Sequence, residues 1–120
     1  MTRFVALYRM PADAASAAAF EERYRATHLP LVAGTPGLVA AEVSRVARTF
    51  HGEPALLIAV LTFADDSAMK AALRSPEWAA AGANLAEIGG LDLVTMLGLE
   101  EPKPIPLPHP QDPNQQGENR

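Results

Sequence analysis

The sequence predicts an α+β domain of ferredoxin-like order, βαββαβ, that pairs with a second copy through its sheet. Three observations predict it. Four strand-like segments and two helix-forming stretches follow one another as strand, helix, strand, strand, helix, strand. The third strand is apolar without a break from 55 to 61, with no alternation. The length of 120 residues allows one domain with a thin core, which oligomerisation would extend.

Residues 3–9, RFVALYR, are β-branched and aromatic and stop at Met10-Pro11, which predicts the first strand. Asp13 is a candidate helix N-cap, and 14–28 are rich in helix formers. Ala17, Phe20, Tyr24, His28 and Leu31 recur at spacings of three or four and predict one inward face, with Glu21, Glu22, Arg23 and Arg25 away from it. Pro30 disfavours helical backbone at Leu29, so the helix is expected to end near His28. Thr35-Pro36-Gly37 signals a turn into a second strand over 38–48. His51-Gly52-Glu53-Pro54 then connects a hairpin to the third strand, 55–63.

That strand, ALLIAVLTF, reads as buried on both faces. Two helices cover only one face of a four-stranded sheet. The other face needs a second copy, which predicts a homodimer packed sheet to sheet. Asp65-Asp66-Ser67 caps a further helical stretch, which pauses and restarts at Ser75-Pro76-Glu77. Trp78, Gly82 and Leu85 share a face, Gly89-Gly90 ends the helix, and 91–99 form the fourth strand. The domain is expected to occupy 1–99. Residues 100–120 hold six of the eleven prolines and are expected to be an extended or disordered tail, which Ile105 and Leu107 can anchor.

The net charge of −4 supplies no basic footprint for nucleic acid and disfavours an anionic membrane surface. The longest apolar run, 54–61, is too short to cross a bilayer. The absence of cysteine removes disulfides, thiolate metal sites and thiol nucleophiles together. No leader is expected at Met1-Thr2-Arg3-Phe4-Val5, so the expected setting is the cytoplasm. No phosphate-binding glycine loop, nucleophile elbow or paired histidine ligands occur, so neither metal nor nucleotide is expected as a cofactor.

His28 is the strongest candidate for chemistry. It lies on the same face as Phe20 and Tyr24, at what reads as a helix C-terminus, where the helix dipole favours a protonated ring. Facing inward beside a tyrosine, it can shuttle a proton; alternatively it caps carbonyls freed by Pro30. Tyr24, Tyr8 and Trp78 are each either core packing or pocket wall. His51 reads as an exposed loop residue and His109 as part of the tail. Glu42 and Arg45 differ in strand parity and cannot face the same side.

The segments VALYRMPAD, FEERYRATHLPLVAGTPGL, EVSRV and LRSPEW together resemble the EthD family, named for ethyl tert-butyl ether degradation and sometimes labelled a reductase. The resemblance covers roughly 3–99. It implies a dimeric α+β barrel with a small apolar pocket between sheet and helices in each subunit. His28 and Tyr24 match the family's helix-end histidine and the aromatic before it, as catalytic candidates. Tyr8, Phe20 and Trp78 are the substrate-binding candidates. The function this implies is binding, and transforming without metal or nucleotide, a small hydrophobic or aromatic metabolite. The alternatives are a non-catalytic carrier and a haem-binding or haem-degrading barrel.

Overall fold

The computed structural model describes residues 1–109. Strand β1 (Thr2–Arg9) leads through an Asp13 cap into α1 (Ala14–Arg23), a π-helical turn (Tyr24–His28) and α2 (Leu29–Ala33). Strands β2 (Leu38–Arg45) and β3 (Ala55–Phe63) form a hairpin. Helices α3 (Asp66–Leu73) and α4 (Pro76–Glu87) and a short 3₁₀ turn (Gly90–Asp92) precede β4 (Val94–Leu99). The sheet runs β2-β3-β1-β4 and every pairing is antiparallel. This is the ferredoxin-like α+β fold.

The helix starts follow the local chemistry. Asp13 accepts from the Ser16 amide at 2.7 Å, Asp65 from Ala68 at 2.8 Å and Ser75 Oγ from Trp78 at 3.1 Å. Two strands are shorter than their composition suggests. β2 stops at Arg45 rather than 48, and β4 starts at Val94 rather than 91. The second difference has a steric cause. Gly89 turns the chain at φ +84, and a side chain at Gly90 would sit 2.3 Å from Leu85 Cδ1, so 90–92 are drawn into a tight turn against the core.

The helices cover one face of the sheet. There Phe4, Ala6 and Tyr8 of β1 meet Leu57, Ala59, Leu61 and Phe63 of β3, all buried. By alternation, Val5, Leu7, Ile58, Val60, Leu97 and Leu99 point to the other face, which no element among the described residues covers. On it Ile58 and Val60 are half-buried, and Leu97 and Leu99 remain 44% and 42% exposed. Residues 100–107 have no regular structure, and Ile105 and Leu107 are exposed. The remainder of the expected tail, 110–120, lies outside the described residues. Among the described residues no helix is long and apolar enough to cross a membrane.

Candidate functional site

The helix expected to end at His28 does not end there. It widens into the π turn, where the Leu29 amide reaches back five residues to the Tyr24 carbonyl, and continues as α2. Leu29 is helical (φ −59, ψ −40) despite the following proline. The wide turn reconciles the two demands: Pro30 sits in the first turn of α2, where its missing N–H costs little. It also holds one residue more than an α-helical turn, and that shifts the phase of everything after it. At about 100° per residue, an unbroken helix would leave His28 about 80° around from Phe20, and one surplus residue returns it to within about 20°. The shift shows further along. Val32 is buried, whereas Leu31, expected on the inward face, is 39% exposed.

The aligned rings form a chain. Phe20 packs on Tyr8 and on Tyr24, both at 5.6 Å between centroids, Tyr8 meets Tyr24 edge-on at 4.9 Å, and Tyr24 lies 5.1 Å from His28. Tyr8, Tyr24 and His28 border a chamber of about 50 Å³ between sheet and helices. β1 and β3 floor it with Phe4, Ala6, Tyr8, Ala59 and Leu61; Tyr24, His28 and Val32 form one wall. Trp78, Ala81, Gly82 and Leu85 of α4 form the opposite wall, with the Trp78 indole fixed edge-on to Phe4 at 5.0 Å.

A relay of side chains fixes the tautomer of His28. The Thr27 hydroxyl donates to the Arg23 carbonyl at 2.8 Å, so its oxygen is left to accept from Asn84 Nδ2 at 3.2 Å. Asn84 Oδ1 therefore turns to His28 Nδ1 at 3.3 Å, and Nδ1 carries the proton. In the neutral ring the lone pair is then on Nε2. Burial pushes the His28 pKa below its ordinary value, against the opposing pull of hydrogen bonds to Asn84 and the Ala81 carbonyl. The expectation of a dipole-favoured imidazolium is thus overturned: the helix does not terminate at His28, and desolvation favours the neutral base. Burial likewise raises both phenols, Tyr8 strongly, with the interaction between the two hydroxyls raising Tyr8 further and restraining Tyr24.

Of the five residues singled out from the sequence, Tyr8, Tyr24, His28 and Trp78 line one chamber. Phe20 does not reach it and instead backs the two tyrosines. His51 is exposed in the hairpin loop. The sequence reading passed over Asn84, although it is the only polar side chain between Glu77 and Glu87. It also passed over the role of Gly82, a mid-helix glycine whose absent Cβ would meet nothing within 4 Å. Glu21, expected on a solvated face, is buried and bonded to Arg45 at 2.8 Å and Arg25 at 2.9 Å. Glu42 lies on the opposite side of β2 from Arg45, as parity required. A porphyrin does not fit beside His28. Benzene alone needs a cavity of about 150 Å³, roughly three times the chamber.

The model described as the EthD domain matches residues 12–87. An EthD family protein from Bacillus halodurans is 31% identical, with TM-score 0.74 over 84% of this chain and 98% of that one. A dimeric ferredoxin-like protein of unknown function from Jannaschia sp. superposes with TM-score 0.60 at 18% identity, over 84% of this chain and 100% of that one. SnoaB, a cofactor-independent oxygenase from Streptomyces nogalater, does so with TM-score 0.54 at 19% identity, over 90% and 97%. No curated protein matches the chain.

Proposed function

The chain belongs to the EthD domain family, and from that premise we propose that it binds a small hydrophobic or aromatic metabolite with its polar end in the His28 chamber and moves a proton on it. The observation that carries this is a buried histidine whose pKa burial lowers, held at Nδ1 by Asn84 and lining an otherwise apolar chamber. His28 Nε2 takes the proton of a ligand hydroxyl or of a carbon next to a carbonyl. The electron pair stays on the ligand as an alkoxide, phenolate or enolate. Tyr24 donates its hydroxyl proton toward that oxygen, and Asn84 Oδ1 steadies the imidazolium through Nδ1–H. Tyr8 and Trp78 form the apolar walls, and Phe20 holds the tyrosines in place. The chemistry needs neither metal nor nucleotide. A cytoplasmic degradation or biosynthetic pathway is the setting that this reading implies.

The uncovered apolar face of the sheet supports a homodimer joined through it, as do relatives described as dimeric. A carrier without turnover is the second reading, favoured by the apolar character of every lining residue other than His28 and the two tyrosines. His28→Ala decides between them. Loss of a general base lowers turnover of an enolisable or hydroxylated substrate by about 10²–10⁴-fold. Retained ligand affinity with no product in either protein indicates the carrier. Unchanged affinity together with unchanged turnover removes His28 from the site altogether.

A further inference from the structure

A second cavity of about 200 Å³ lies under α2, over β2 and β3. Leu29, Ala33, Ala41, Glu42 and Val43 belong to it alone. Val32, Ala59 and Leu61 line both it and the His28 chamber. The two are therefore neighbours across a wall one side chain thick. Ala59 contributes nothing beyond its Cβ to that wall, so Val32 and Leu61 are the shared side chains whose rotamers set the boundary between the cavities.

Size assigns the contents. The chamber at His28, at about 50 Å³, takes a two- or three-atom group but no ring. The outer cavity exceeds the roughly 150 Å³ that holds benzene. The chamber reaches Met96 on β4, and the outer cavity reaches Val43 on β2, so together they cross all four strands. Three inter-strand spacings make a path of about 14 Å.

We infer that the two cavities are the lobes of one elongated site, and that its ligand has a small hydroxyl- or carbonyl-bearing end at His28 and an apolar chain or ring seated between α2 and β2. This rests on the reading of His28 as the polar end of the site. It adds the ligand's shape, its orientation and a specificity surface at Ala33 and Ala41, both exposed at the outer rim.

The test is an NMR amide-shift titration of the full chain with methyl ketones of increasing length, from butanone to decanone. Each methylene that enters the outer lobe is expected to tighten binding by about three- to fourfold. Ala41→Phe and, separately, Ala33→Leu fill that lobe without touching the chamber. Both replace exposed residues, and dispersed spectra verify that each variant is folded. In either variant butanone is expected to bind as in the parent chain, with the gain from longer tails lost. Affinity independent of tail length, or variants that weaken butanone as much as decanone, overturns the two-lobed site and leaves the chamber standing. If no ketone binds, the reading of the chamber and this inference fall together.

Discussion

At the scale of single residues, the site is a histidine kept neutral and a glycine kept bare. Burial lowers the folded pKa of His28 from its ordinary 6.5. As pH falls, the unfolded chain therefore takes up a proton first, near 6.5, and the folded chain only later. Stability is complete above that value and declines as pH drops through the folded pKa. Replacing His28 with Gln is expected to flatten the decline in urea-unfolding free energy between pH of about 7 and 5. Glu21 works in a separate window. Its partners lower its pKa from 4.5, so its contribution is lost only at more acidic pH. Gly82 carries a cost of about 1 kcal/mol relative to alanine in a helix, with no packing reason for it. Gly82→Ala is expected to raise stability by about that amount while weakening ligand binding, because the new methyl enters the chamber wall; denaturation and titration of the same variant check both. The aromatic members of the site were legible from periodicity, since Tyr8, Tyr24 and Trp78 each fall on an inward-facing position. Asn84 was not. A single amide among alanines carries no periodic signal, and its partner is 56 residues away.

At the scale of elements, Pro30 is the instructive residue. Its local preference is real, and the chain answers it with a wide turn rather than a stop. The sequence contains no separate mark for that turn, because π geometry arises from a conflict between a proline and a helix whose inward face extends past it. The ion pair between α1 and β2 was hidden for a related reason. Glu21 lies beside Phe20, off the predicted inward stripe, and its partner Arg45 comes from an edge strand far along the sequence. Arg45 is itself largely exposed, at 68% of its side chain, so solvent screens the pair. Glu21→Ala is expected to cost about 1–2 kcal/mol in denaturant unfolding. Adding Arg45→Ala should then cost little more, since the partner is already gone.

At the scale of the whole molecule, the unbroken apolar run of β3 divides cleanly in the structure. Leu57, Ala59, Leu61 and Phe63 serve the intramolecular core, and Ile58 and Val60 serve the uncovered face. Fold order and the need for a second layer were both legible in that run. Which set faced the chamber was not, because a strand apolar on both sides has no alternation to read, and only pairing with β1 and its Tyr8 decides it. A charge in the middle of the open face tests the assembly. Val60→Lys is expected to halve the mass found by light scattering at micromolar concentration while leaving the circular dichroism of the fold intact. A parent chain already monomeric at that concentration sinks the dimer.

The surplus residue between Tyr24 and His28 amounts, in the language of genes, to one inserted codon. Its effect is rotational rather than local. Residues before it keep their contacts with the sheet, and residues after it are set back by about 100° relative to an unbroken helix of the same sequence. Val32 thereby replaces Leu31 on the inside, and His28 comes to face the chamber. Loss of that codon would close the turn to ordinary α-helix and leave the histidine seven places from Phe20, still about 20° away, so the wide turn absorbs an extra residue without moving the buried base.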